Sequence, residues 1–209
     1  MVATNRLEQK RLQTHQQLLE TAAQVFSQKG YEDTSILDIT EAANVSKRTF
    51  YLHFTDKDAL LMELAYQSFE KVRQRIVEAE EQTRDILSPA ESFETSLRTI
   101  FEFAGQHPEI MEIAVKRDGS PKLNAMMREY LARSMEDHIN DENCPHFLNN
   151  PGIPPIIIAN VKAGVVFQML CWWVQNPGRY SPDEMAAVIT KIIYDGVGEL
   201  YKLKESAEE

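Results

Sequence analysis

The sequence predicts an all-α protein of about nine helices, and three observations lead to this prediction. Apolar residues recur with the spacing of amphipathic helices through most of the 209 residues. The segments are separated by Gly, Pro and Asn, without the alternating runs and hairpin dipeptides that indicate strands. Helix starts are marked by Ser88-Pro89, Ser120-Pro121 and Ser181-Pro182, because proline favours the first position of a helix.

The first three helices are short and closely spaced. A helix over residues 7–26 ends at Gly30, and Thr34 or Ser35 caps a second helix of about two turns. Asn44 lies at the turn that follows, where a left-handed backbone conformation is expected. Ser46 then caps a third helix over residues 47–54.

A long helix is predicted next. Thr55 and Asp58 resemble a capping box, and the apolar period continues to Ile76. Further along, residues 140–155 have no helical period and are expected to form a loop. The last two helices, over residues 156–175 and 183–202, are joined by a turn at 176–178 that is short enough to make them antiparallel neighbours.

The composition is that of a globular protein, with 43% hydrophobic and 26% charged residues. Cys144 and Cys171 cannot form a disulfide framework, and no basic-then-apolar segment opens the chain, so we expect a cytoplasmic protein. Residues 153–174 are apolar enough to suggest a membrane helix, but Asn160, Lys162 and Gln168 interrupt them. A buried helix, with no membrane partner, is the better interpretation.

The charge is distributed unevenly along the chain. The first 60 residues contain seven Lys or Arg and eight Asp or Glu, so they account for only −1 of the total net charge of −10. Salt screens charges that lie more than about 8–10 Å apart, so a local cationic surface can bind a polyanion although the whole protein is acidic.

The second and third helices have the arrangement of a helix-turn-helix. The third helix places Phe50 and Phe54 on one face and leaves cations, hydroxyls and Tyr51 mostly off it. Phosphate contacts need Lys, Arg and hydroxyl groups, and base contacts need side chains that project into the major groove. The pattern therefore predicts that this helix reads double-stranded DNA.

The first 65 residues resemble the DNA-binding domain of the TetR family of transcriptional regulators. The matching signatures are LLETAAQVFSQKGYEDTSILDITEAANVS and KRTFYLHFTDKDALL, the second with an aromatic-x-x-Phe-x-x-Lys pattern at Tyr51, Phe54 and Lys57. The resemblance implies DNA contacts from Thr34, Lys47, Thr49, Tyr51, His53 and Lys57, and we add Ser35, Ser46 and Arg48 to this predicted surface. Arg48 departs from the small residue that many relatives carry there, and it is expected to contact a base or a phosphate.

The resemblance also implies a division of roles along the chain. Residues 1–55 are expected to bind DNA, and residues 56–209 to bind a small-molecule effector of unknown identity and to form a homodimer on a pseudo-palindromic operator, with repression as the commoner mode in the family. For the effector pocket we predict Phe101, Met111, Met126, Phe167, Trp172 and Trp173, although such residues at helical spacing also suit an ordinary core. For the dimer interface we predict Ala163, Val166, Met185, Ile189, Ile192 and Gly196, with an intrachain core as the alternative.

Other classes of function have weaker support. His138, Asp141, Glu142, Cys144 and His146 offer N, O and S donors, so a metal-sensing regulator or a helical metal-binding or interaction protein is the alternative. Their spacing matches no closed Cys/His motif, and we assign no metal ligand. The sequence contains no nucleophile elbow, no phosphate-binding glycine loop and no H-E-x-x-H motif, so we expect neither an enzyme nor a cofactor.

Overall fold

A computed structural model describes residues 6–115, 120–140 and 152–205. Every regular element within these ranges is helical, which confirms the all-α prediction. The described residues form nine helices: α1 (Arg6–Lys29), α2 (Ile36–Ala42), α3 (Lys47–Tyr51), α4 (Lys57–Thr83), α5 (Pro89–Gln106), α6 (Pro108–Val115), α7 (Pro121–Asn140), α8 (Pro155–Gln175) and α9 (Pro182–Glu205).

The chain divides into two compact units, unit 1 (Met1–Phe69) and unit 2 (Glu70–Glu209). The division falls inside α4, whose Leu60, Leu61 and Ala65 are fully buried and belong to unit 1. The functional division at residue 55 concerns the roles of the two parts and stays a prediction.

The predicted serine caps are present. Ser35 and Ser88 each form a capping box with the acidic residue three positions later, and Ser46 accepts a hydrogen bond from the backbone N–H of Thr49 at 3.0 Å. Ser120 and Ser181 also accept from the backbone of the first turns that follow them. These contacts fix where the helices begin because they satisfy N–H groups that have no partner inside the helix.

The predicted cap of α4 is wrong by one residue. Asp56, and not Thr55, accepts the backbone N–H of Ala59, at 2.7 Å. Asp58 does not complete a capping box because its carboxylate accepts a hydrogen bond from the hydroxyl of Tyr31. The role of Asp58 therefore comes from a contact between residues 27 positions apart, which local sequence does not reveal.

In unit 2, α8 packs mainly on α7, and α9 packs mainly on α5. The predicted neighbours α8 and α9 contact each other little, although Gly178 makes the tight turn between them with a φ of 78°. A second glycine, Gly196, interrupts α9 with a φ of 78° and a ψ of 154°, a combination outside the helical region. The apolar stripe predicted along this helix is therefore broken at Gly196.

Helix α8 is the most apolar element that the structure describes. Among the described helices it is the one whose length and hydropathy would allow it to cross a membrane, but core helices share this property. Its residues Ala159, Ala163, Val166 and Leu170 are buried, and this stripe is what a helix packed inside a bundle requires.

Candidate DNA-binding surface and ligand cavity

The turn between α2 and α3 is held by three specific contacts. Asn44 adopts the predicted left-handed conformation, with a φ of 52°. The backbone N–H of Val45 donates to the carbonyl of Thr40 at 2.9 Å, and the side-chain amide of Gln17, from α1, donates to the carbonyl of Ala43 at 2.8 Å. The angle between the two short helices is therefore set by α1 as well as by the turn itself.

One face of α3 is anchored in the core of unit 1. Phe50 is completely buried, Phe54 nearly so, and their ring centroids are 5.7 Å apart. Displacing this pair would expose a large apolar area to water, so its burial stabilises the position of the helix.

The opposite face of α3 carries the groups expected to reach DNA. Lys47 and Arg48 are exposed, and their side chains have neither a hydrogen bond nor an ion pair with any residue that the structure describes. Tyr51 is 57% exposed and Leu52 is 66% exposed. This surface thus exposes two cations, a phenol and an isobutyl group on the side away from the core. Cations and hydroxyls can bind phosphates, and projecting side chains can contact base edges.

The hydroxyl groups predicted to contact DNA have other partners. Thr34 is buried and its Oγ1 donates to the carbonyl of Gly30 at 2.6 Å, which weighs against the DNA contact that the resemblance implies for its hydroxyl. Ser35 is committed to the α2 capping box. Ser46 and Thr49 share a hydrogen bond of 2.9 Å between their hydroxyl oxygens, so the two act together at the start of α3.

Lys57 also has a role that the sequence did not indicate. Its Nζ donates to the carbonyl oxygens of Tyr31 at 2.6 Å, Thr34 at 2.9 Å and Glu32 at 3.4 Å. The ammonium group also lies 4.1 Å from the centroid of the Tyr31 ring. An ammonium group has three N–H donors, and three carbonyls accept them, which weighs against the predicted phosphate contact.

His53 lies next to charged groups from α1 and α4. Its ring centroid is 5.4 Å from that of His15, and Nε2 of His15 is 2.6 Å from a carboxylate oxygen of Glu63. Burial lowers the pKa of His53 below its ordinary value, and the nearby charges of His15 and Arg11 lower it further. Arg11 therefore lies near the end of α3, and His53 is neutral at neutral pH.

Unit 2 contains a cavity of about 50 Å³ between α4, α5, α7 and α8. Its walls combine apolar and polar groups, from Ile76, Glu80, Phe93, Ser96, Leu97, Ile100, Leu131, Ser134, Met135, His138, Ile139 and Lys162. None of the six residues predicted for an effector pocket lines it. The effector-pocket residues stay a prediction, because helical periodicity marks a buried face without indicating where space remains on it.

The predicted pocket residues lie in other places. Phe101 and Met111 are fully buried, and Trp173 packs edge-on against Phe101 while its indole N–H donates to the carbonyl of Tyr180 at 2.7 Å. Trp172 instead lies beside the Tyr180 ring. Met126 is half-buried on α7.

Phe167 lines a second, more polar cavity of about 280 Å³ between α7 and α8. The Arg128 guanidinium carbon lies 4.8 Å from the Phe167 ring centroid, so a cation covers this ring. Asn160 and Gln168 add amide groups to the same walls.

Most of the residues predicted for a dimer interface are buried within their own chain. Ala163, Val166, Met185 and Ile189 belong to the core of unit 2, and this burial weighs against a contact with a second copy. Ile192 and Gly196 are half-buried. The large apolar side chains that α8 and α9 expose are others, among them Ile157, Val161 and Val188.

The metal-binding alternative rests mostly on residues outside those that the structure describes. Asp141, Glu142, Cys144 and His146 lie outside the described residues, and only His138 lies within them. Its Nε2 is 3.4 Å from a carboxylate oxygen of Glu80. No group of three potential metal ligands occurs among the residues that the structure describes.

Lys162 is the functional candidate that the sequence could have indicated. It lies three residues after Ala159 and four before Val166, so it shares the buried face of α8. A lysine at such a position is rare unless its charge has a partner or a purpose. Glu80 and Ser96 gave no comparable signal because their helices carry many other polar residues.

Two family models match separate parts of the chain, and several known proteins match longer stretches of it. Residues 18–64 match the family model of the bacterial regulatory proteins, tetR family, and residues 91–195 match that of a transcriptional regulator C-terminal region. The HTH-type transcriptional regulator YuxN of Bacillus subtilis (strain 168) is 26% identical over 126 residues, which cover 59% of this chain and only 42% of that relative.

Two further likenesses extend over most of the chain. The fatty acid metabolism regulator protein of Bacillus subtilis (strain 168) is 22% identical over 189 residues, covering 88% of this chain and 95% of the relative. The crystal structure of the transcriptional regulator FadR from Bacillus subtilis, in complex with stearoyl-CoA, aligns with a TM-score of 0.62 at 18% identity, covering 87% of this chain and 98% of that one. At this identity the structural likeness shows a shared fold.

Proposed function

The chain belongs to the TetR family and is a transcriptional regulator, and from this premise we propose that it binds a double-stranded DNA operator through α3 and responds to a small molecule bound in unit 2. The observation that carries the first part is the exposed pair Lys47 and Arg48 on a helix whose other face is anchored by Phe50 and Phe54. Rigid presentation of cations and donors from a scaffold is what groove recognition requires.

The residues on α3 divide into two roles. Lys47 is the phosphate contact, and Arg48 contacts a base edge through its planar guanidinium group, for which guanine N7 and O6 are the matching acceptors. Tyr51 and Leu52 offer apolar surface of the kind that packs against thymine methyl groups. Ser46 and Thr49 hold the start of the helix.

A homodimer is the form in which we expect the protein to bind. A two-fold pair of recognition helices matches a pseudo-palindromic operator, with one half-site for each copy. The exposed side chains of Ile157 and Val161 are separated by four residues on α8 and lie one above the other on the same face. We propose this exposed pair as the centre of the dimer interface, in place of the buried residues that the sequence predicted.

The effector acts through the difference between its affinities for two conformations. If it binds best to a form whose two recognition helices are wrongly spaced, it must weaken operator binding, and the operator must weaken effector binding by the same factor. Helix α4 is the proposed connection because it begins in unit 1 and its residues Ile76 and Glu80 line the cavity of unit 2. A coupling of about 1–3 kcal/mol corresponds to a change of roughly 5- to 150-fold in operator affinity.

The relatives favour a ligand-responsive repressor over a metal sensor. The Bacillus subtilis FadR structure contains stearoyl-CoA, a molecule with a long apolar chain and an anionic part. We take this as support for an organic effector, and we expect repression in the cytoplasm, without an enzymatic activity, a cofactor or a membrane partner.

Selection of bound duplexes from a random library, repeated at two salt concentrations, tests this function. We expect an enriched inverted repeat whose binding weakens steeply with salt, because each phosphate contact releases counterions. Lys47→Ala should weaken binding to all duplexes and reduce the salt slope by about one, whereas Arg48→Ala should relax the preference at one position of each half-site. Failure to enrich any sequence, with no salt-dependent binding, would exclude the regulator function.

A further inference from the structure

A cluster of three basic side chains lies where α3 ends. Arg11 and His15 come from α1, His53 comes from the turn that follows α3, and all three belong to unit 1. The ring centroids of His53 and His15 are 5.4 Å apart. Arg11 lies close enough for its charge to act on the ring of His53. Two helices thus bring three groups that carry or can take a positive charge to one place.

The protein holds one member of this cluster and leaves the other two available. Nε2 of His15 is 2.6 Å from a carboxylate oxygen of Glu63, on α4, and its ring stacks on that of Phe54 with 4.7 Å between the centroids. Arg11 is exposed, and its side chain has no hydrogen bond or ion pair with any described residue. His53 is half-buried, and neither ring nitrogen has a hydrogen-bond partner in the described part of the chain.

The position of the cluster suits a second contact with the DNA backbone. Helix α3 has five residues, so its length of about 7 Å is less than the width of about 12 Å of the major groove. Lys47, at the start of this helix, is the phosphate contact proposed for that end. Arg11 and His53 lie at the other end, and guanidinium and imidazolium groups both donate strong hydrogen bonds to phosphate oxygens.

We propose that Arg11 and His53 bind one operator phosphate at the end of α3, and that His53 takes up a proton from the solvent when this phosphate binds. The inference rests on the proposed function, because it adds a contact to the same DNA-binding surface. The groups packed around His53 are Arg11 and His15 from α1 and, behind His15, Glu63 from α4. The proton returns to the solvent when the DNA dissociates.

The charge of His53 differs between the free protein and the complex. In the free protein, burial lowers the pKa of His53, and the charges of His15 and Arg11 lower it further, so the ring is neutral. A phosphate within about 4–6 Å brings the opposite charge and favours the imidazolium form. The complex then binds more protons than the separated molecules, so operator affinity must rise as the pH falls.

Fluorescence anisotropy with a labelled random-sequence duplex tests the inference on the full-length protein, because a phosphate contact does not depend on sequence. A duplex of about 20–30 base pairs accommodates two half-sites one helical turn apart. An opposite charge nearby changes the proton affinity of a group by about 10- to 1,000-fold, so wild type should bind roughly 10-fold or more tightly at about pH 6 than at about pH 8. In His53→Gln the same ratio should fall below about threefold.

Isothermal titration calorimetry measures the proton directly. In two buffers that differ in their enthalpy of ionisation, the heat of duplex binding should differ for wild type in the sense of proton uptake. The difference should be much smaller for His53→Gln. A purely structural role of His53 would not produce this dependence on the buffer.

Three further variants make the assignment specific. His107→Gln removes a histidine from unit 2 and should keep the wild-type ratio of affinities. Lys47→Ala should weaken binding at both pH values and also keep this ratio. Arg11→Gln changes an exposed side chain and should reduce the salt slope by about one for each copy. Thermal unfolding of each variant, including His53→Gln, identifies any loss of binding that follows from a loss of fold.

Several outcomes would overturn the inference. Equal pH dependence in wild type and His53→Gln, or a heat of binding that does not depend on the buffer, would exclude proton uptake by His53. Weaker binding of His53→Gln by the same factor at both pH values would assign the contact to a neutral imidazole. An unchanged salt slope in Arg11→Gln would remove Arg11 from the contact. Salt-dependent duplex binding would persist in each of these cases, whereas its absence at both pH values would contradict the proposed function itself.

Discussion

Replacing Lys57 by methionine distinguishes a structural role from a DNA contact. The substitution keeps the length of the side chain but removes three hydrogen bonds to the carbonyls of Tyr31, Glu32 and Thr34 and the contact with the Tyr31 ring. A hydrogen bond from a charged donor contributes about 1.5–3 kcal/mol, but these three share one half-buried ammonium group and water replaces part of the loss. We expect the free energy of unfolding to fall by about 2–3 kcal/mol.

Two measurements together decide the role of Lys57. Urea unfolding followed by far-UV circular dichroism should show a lower midpoint for Lys57→Met, and the slope of log affinity against log salt for operator binding should stay as in wild type. Lys29→Met is the matched control, because this lysine pairs with Asp38 at the surface and such exposed pairs contribute little. A salt slope reduced by about one, with stability unchanged, would refute the structural role and restore the phosphate contact.

The other expectations concern packing, pH and assembly. Thr190 has a buried hydroxyl without a hydrogen-bond partner in the described structure, so Thr190→Val should leave the free energy of unfolding in urea unchanged or raise it by about 1 kcal/mol. Ser96→Ala removes a hydrogen-bond donor from Glu80 and should lower the same free energy by about 1–2 kcal/mol. Folding lowers the pKa of His53, so the unfolded chain binds a proton at a higher pH than the folded chain does. The free energy of unfolding should therefore be unaffected by His53 above about pH 6.5 and should fall as the pH decreases below that value. The fall should be less steep in His53→Gln, and equal slopes of stability against pH in the two proteins would contradict the assignment. Val161→Glu should shift the mass from light scattering towards the monomer, whereas Ile86→Glu, at a position that is also highly exposed, should not; an unchanged dimer mass in Val161→Glu would place the interface elsewhere.

The DNA-binding unit was the part of the fold that the sequence predicted best. Glycine, asparagine and serine mark helix ends through their own backbone and side-chain chemistry, so Gly30, Asn44 and Ser46 could be placed from local sequence. The spacing of Phe50 and Phe54 predicted a shared buried face, and both are buried, although α3 ends at Tyr51 and Phe54 lies in the turn that follows. Lys57 shows the limit, because a cation near predicted DNA-contacting residues looks the same in sequence whether it contacts phosphates or carbonyls.

Unit 2 was less accessible to the same reasoning. Apolar spacing identified the buried stripe of α8 but assigned Ala163 and Val166 to a dimer interface, since periodicity cannot say which helix covers a stripe. In the structure α7 covers it. The effector-pocket residues stay a prediction for a related reason. Phe101 and Trp173 pack against each other, and of the six predicted residues Phe167 lines one of the two cavities.

The sequence by itself determined the helices, the turn that joins α2 and α3, and the cationic character of α3, because each depends on residues within a few positions of one another. The tertiary structure decided which polar groups meet across long separations. Packing brings together Tyr31 with Lys57, Glu80 with Ser96 and His138, and Lys162 with the rings of Phe93 and Tyr194. The physical reason is that side-chain contacts between helices depend on distance and burial, and neither quantity is encoded in local spacing.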